Sequence, residues 1–104
     1  MIDITTESPA VQMAYQWLDA QTPTINANGY VEKHRIERFC GLYISKDDVI
    51  RALELAGLKS DCYPRSNISK RVIKPLFSRI AHIPEARTMA YQISEHDYYA
   101  NEEK

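Results

Sequence analysis

Residues 59–79 read KSDCYPRSNISKRVIKPLFSR. The stretch holds six basic residues, Lys59, Arg65, Lys70, Arg71, Lys74 and Arg79, against one acid, Asp61. Its net charge of +5 stands inside a chain of formal charge -1, because residues 1–58 and residues 80–104 carry -3 each. Charge is segregated along the chain. At about 100° per residue, Val72, Ile73, Leu76, Phe77 and Ile80 fall in one arc and Lys70, Arg71, Lys74, Ser78 and Arg79 in the other. The spacing predicts a basic amphipathic helix that Asn67 or Ser69 can cap. An interior proline deletes an amide donor at a cost of about 3 kcal/mol. With Pro75 in place, the helix is therefore either bent or begins near Lys74.

Upstream of this stretch lies the clearest helix in the chain. Ser45 with Asp48 three residues on makes a capping-box-like pair, Asp47 and Asp48 suit the positive end of a helix dipole, and Gly57 supplies a left-handed stop. Val49, Ile50, Ala52, Leu53 and Ala56 form its apolar stripe. Leu42, Tyr43 and Ile44 before it have the makings of a short strand, and Ile36, Phe39, Cys40 and Tyr43 give Val31–Cys40 a helical spacing that Gly41 ends. Thr22 to Gly29 is a loop, rich in Pro, Asn and Gly. At the start of the chain, Ser8 followed by Pro9 is a helix start, and Val11, Ala14, Tyr15 and Leu18 share one face as far as about Gln21.

Downstream, Pro84 closes off any helix. Met89, Tyr91 and Ile93 alternate with polar or small residues in the manner of a half-buried strand, and Ala81–Ile83 can pair with it across a turn. Glu95 to Lys104 reads as an acidic, frayed tail.

A chain of 104 residues with 44% hydrophobic and 26% charged content fits one folded domain. No run of about 18 apolar residues predicts a membrane span, and Met1 to Thr6 lacks the character of a signal peptide, so the expected location is the cytoplasm. Cys40 and Cys62 have no CxxC or CxxH companion; both read as reduced, with Cys40 buried.

The order helix, helix, short strand, capped helix, basic helix, hairpin resembles the winged helix-turn-helix superfamily. The resemblance covers Leu42 to Ser94 and rests on the order of elements. It implies a mainly α fold with a small β-hairpin, divided into residues 1–44, a helix pair with wing over 45–94, and the tail 95–104. It also implies a DNA-binding protein, such as a transcriptional regulator or a replication or mobile-element factor, without a cofactor. By position, Lys70, Arg71, Lys74, Ser78 and Arg79 would then face the major groove or its phosphates, Arg65 and Asn67 the backbone at the helix entrance, and Arg87 phosphate or minor groove. The connector of about ten residues is long beside the three to four of the simplest helix-turn-helix.

Other readings stand beside this one. A basic stretch also suits an acidic protein partner, which would make the chain an adaptor or inhibitor. A pI of 6.3 is low for a dedicated DNA-binding domain. Met13 and Trp17 either belong to the core or form a partner-facing patch that pairs two copies of the chain. His34, His82, His96, Cys40 and Cys62 sit in no nucleophile elbow or metal-binding spacing, so neither an enzyme nor a metal protein is expected.

Overall fold

The Ser8 hydroxyl accepts from the Val11 amide, and Pro9 follows it as the first residue of α1 (Pro9–Asp19). The computed structural model describes residues 3–25, 29–58, 65–86 and 101–103. After α1 come β1 (Gly29–Tyr30), α2 (Lys33–Cys40), α3 (Lys46–Leu55), β2 (Arg65–Ser66), β3 (Ile73–Lys74), a 3-10 turn at Phe77–Arg79, and β4 (Asn101–Glu102). The described chain is mainly helical, and its radius of gyration of 12.5 Å matches the value of about 13 Å expected for one folded unit of 100 residues.

Both clear helix signals operate as the sequence implies. Ser45 and Asp48 cap one another's backbone at the start of α3, at 3.1 and 3.0 Å. Gly57 turns the chain at φ 72° beyond the helix end, and Gly41 does so at φ 74° after α2. These are positions where a Cβ would be strained.

Val11, Met13, Ala14, Trp17 and Leu18 of α1 are buried, and α1 packs chiefly on α3 through Val49, Ala52 and Leu53. Ile36, Phe39 and Cys40 of α2 close the same core, with Val31 and Ile44 from the connections. Met13 and Trp17 have no exposed surface. The partner patch, and the dimer face built from it, are therefore corrected to core: Met13 and Trp17 belong to the buried cluster that α1 shares with the rest of the described chain.

The expected fourth helix is not formed. Residues 65–80 run instead as β2, a turn, β3 and the 3-10 turn. Pro75 is buried directly after β3, where its missing amide costs nothing, and Val72, Ile68 and Ile80 each reach the core from extended or turned backbone. Backbone groups that a helix would have paired locally go to distant partners. Ser69 N donates to Thr22 O at 2.8 Å, and Thr24 N donates to Asn67 O at 2.8 Å. β1 pairs antiparallel with β2, Gly29 opposite Ser66.

Two further expectations change. Residues 42–44 form a connector rather than a strand, and Ala81–Ile83 are turns. The strand expected at Met89–Ile93 lies outside the described residues. At the far end, where a frayed tail is expected, residues 101–103 are described and β4 pairs in parallel with β3, Ile73 opposite Asn101 and Lys74 opposite Glu102.

Candidate nucleic-acid interface

Without a fourth helix, the residues expected on its polar face separate into two groups. Lys70 and Arg71 are exposed on the turn between Ile68 and β3, a turn fixed by the Arg71 amide donating to Ser69 Oγ at 3.1 Å. Among the described residues neither side chain has a carboxylate partner. Four donor nitrogens and two carbon stems thus face solvent, where a phosphate chain can meet them.

Lys74 and Arg79 form the second group. Lys74 is half-buried in β3 and lines a cavity of about 250 Å³ together with Phe39, Pro75, Leu76, Phe77, Glu102 and Glu103. Arg79 is committed within the chain. Its Nε donates to Glu103 Oε1 at 2.7 Å and Oε2 at 2.9 Å, and its Nη2 pairs with Glu103 Oε2. On the other side its Nη1 donates to Asp19 Oδ2 at 2.8 Å and Gln16 Oε1 at 3.2 Å. The Glu103 hydrogen bonds and then Asp19 push the Arg79 guanidinium still higher, against the opposing effect of burial. Glu103 is held below the usual carboxylate range by Arg79, and the Leu76 amide adds to this. The assignment of Arg79 to an open basic face is therefore corrected: two of the chain's own carboxylates neutralise it.

The remaining expected residues scatter. Asn67 is half-buried and donates to Thr24 O at 3.1 Å, so it ties a loop. Ser78 is exposed on the 3-10 turn. Arg65 contributes backbone to β2 opposite Tyr30. Arg87 lies outside the described residues.

A third constellation escaped the sequence reading: the elbow between α2 and α3. Its five residues, 41–45, are fixed from inside by Glu37, whose Oε2 accepts from the Ile44 amide at 3.0 Å while Oε1 meets His34 Nδ1 at 3.0 Å. Ile44 is buried as a result and Tyr43 is turned outward, 70% exposed. Lys33 Nζ stands 5.1 Å from the Tyr43 ring centre, a cation–π distance. Lys46 is exposed at the first position of α3, with Asp47 beside it. The available signal was the bracket of Gly41 and Ser45, a helix stop and a helix start four residues apart.

Cys40 is buried, and desolvation pushes its thiol up to about 11, which removes it as a nucleophile in the folded state. No group of three or more His, Cys, Asp or Glu side chains suited to a metal ion occurs among the described residues. No helix there is long and apolar enough to cross a membrane. The chain matches no protein-family model, no curated protein and no solved structure.

Proposed function

We propose that the chain is a DNA-binding module of winged helix-turn-helix type in which α2 and α3, one element earlier than the sequence reading placed them, form the helix pair. One observation carries this. A strand precedes the pair, a five-residue elbow with a left-handed glycine joins it, and a strand after α3 returns antiparallel to the first. Helix-turn-helix elements join their helices by three to four residues, often with Gly, and the second helix presents its N-terminal residues to base edges. Here those residues are Lys46 and Asp47, with Tyr43 and Lys33 at the elbow. Lys70 and Arg71 supply phosphate contacts from the turn before β3.

The test is duplex binding by fluorescence anisotropy over a salt series starting near 50 mM. Affinity should fall steeply with salt, and Lys70→Ala with Arg71→Ala should weaken binding and lower the logarithmic salt slope by about 2, with the melting temperature unchanged. Absence of binding at the lowest salt removes the reading.

A protein partner is the second reading, and the outward side of α3 favours it. Asp47 and Glu54 are exposed there, and Arg51 is engaged with Glu7 at 2.9 Å. Such a face suits a basic protein surface better than phosphate. Co-purification of one protein that survives nuclease treatment, together with failure to bind duplex, would select it.

A further inference from the structure

We infer that Arg79 and the Leu76 amide form a phosphate-binding seat for a nucleic-acid strand, and that Glu103 fills this seat from within the chain. The inference rests on the DNA-binding reading and names a site for it. Three donors converge on one carboxylate: Arg79 Nε, Arg79 Nη2 and the Leu76 N–H, which meets Glu103 Oε1 at 2.9 Å. A planar guanidinium edge joined by a backbone amide accepts a phosphate as readily as a carboxylate. The other edge of Arg79 is held by Asp19 and Gln16, so the fork keeps its direction whichever anion it meets.

The resident anion sits at the end of a short strand. Glu103 follows a strand of only two residues, and the Glu103 amide donating to Lys74 O at 2.9 Å adds one more link. Beside it the cavity of about 250 Å³, with Lys74 on its wall, leaves room for an incoming group. Residues 65–79 contain five basic side chains and no acid. A polymer of regularly spaced phosphates is the ligand that such a segment suits, and Lys70 and Arg71 just upstream are already open to it. Glu103 thus competes with the same anion that those two residues attract.

The Glu103→Gln variant tests this with two probes. Inorganic pyrophosphate titrated against the Arg79 side-chain NMR signal should bind the variant about tenfold more tightly than the parent chain. Duplex DNA should bind it more tightly too, with the logarithmic salt slope steeper by about 1. Unchanged DNA affinity together with an unmoved Arg79 signal would overturn the seat while leaving the DNA-binding reading intact. Pyrophosphate moving Arg79 when neither chain binds DNA would remove that reading and keep a seat for free phosphate. A glutamate-rich peptide that moves Arg79 where pyrophosphate does not would overturn the phosphate assignment. Should the variant fail to fold, the parent chain decides alone: saturating duplex must displace Glu103 from Arg79, and persistence of that pair at saturation overturns the inference.

Discussion

The Gln21 side chain pairs with the Ile73 backbone as a neighbouring strand would: its Nε2 donates to Ile73 O and its Oε1 accepts from Ile73 N, both at 2.8 Å. A third bond from Nε2 reaches Trp17 O at 3.0 Å, so one buried amide fastens the end of α1 to β3. Replacing Gln21 with Ala strands a backbone donor and acceptor, and the loss should be about 2 to 3 kcal/mol. Gln21→Glu keeps the shape but loses the donor, and should be at least as harmful. Urea denaturation with both variants checks the order.

Gly29 and Gly57 should respond to Ala for different reasons. A Cβ on Gly29 would lie 2.7 Å from Ser69 O and 2.8 Å from both Ile68 O and Ile68 Cγ1, and two of these atoms are backbone that cannot swing aside. That substitution should cost about 2 kcal/mol or more and loosen the β1–β2 pair. Gly57 has open space around it, and only its φ of 72° resists, so Gly57→Ala should cost about 1 kcal/mol. Amide exchange at Tyr30 should accelerate in the first variant and stay unchanged in the second.

Cys40 should be chemically silent in the native state. Its thiol is buried and raised to about 11, with Sγ directed to the carbonyl oxygens of Glu37 and Leu42. In a Cys62→Ser background, Ellman's reagent at pH 8 should react only as fast as the chain unfolds. Rapid modification under native conditions would contradict the packing of α2.

Acid should weaken the attachment of the C-terminal segment. Glu103 titrates lower when folded than when unfolded, because Arg79 stabilises its charged form. The contribution is present above the ordinary glutamate value near 4.5 and disappears as pH falls through the depressed folded value. Glu7, lowered by Arg51, acts in the same direction. Stability measured between pH 7 and pH 2 should decline less steeply in Glu103→Gln than in the parent chain.

The helices were legible because their signals are local. Ser8 with Pro9, Ser45 with Asp48, and Gly41 mark ends that depend on two or three neighbouring residues, and α1, α2 and α3 start or stop within about two residues of them. Residues 67–80 were misread because their apolar and basic residues satisfy a helical period while their real partners lie far off in sequence. Gln21, Thr22 and Thr24 supply the hydrogen bonds that turn the segment into extended chain. Pro75 was the one local sign against a helix. The charge cluster was visible, but not the fate of its members: nothing near Arg79 in sequence announces Asp19 or Glu103. Trp17 and Met13 look excessive for one helix, yet both are fully buried in the common core.

The contacts of Arg79 also bear on the order in which the molecule assembles. They join positions 60 and 24 residues away along the chain, Asp19 on one side and Glu103 on the other. Closing both loops before the helical core exists would spend entropy with no packing to offset it. The clasp therefore belongs after the rate-limiting step of folding, where it slows the escape from the native basin and leaves the speed of reaching that basin to α1 and α3.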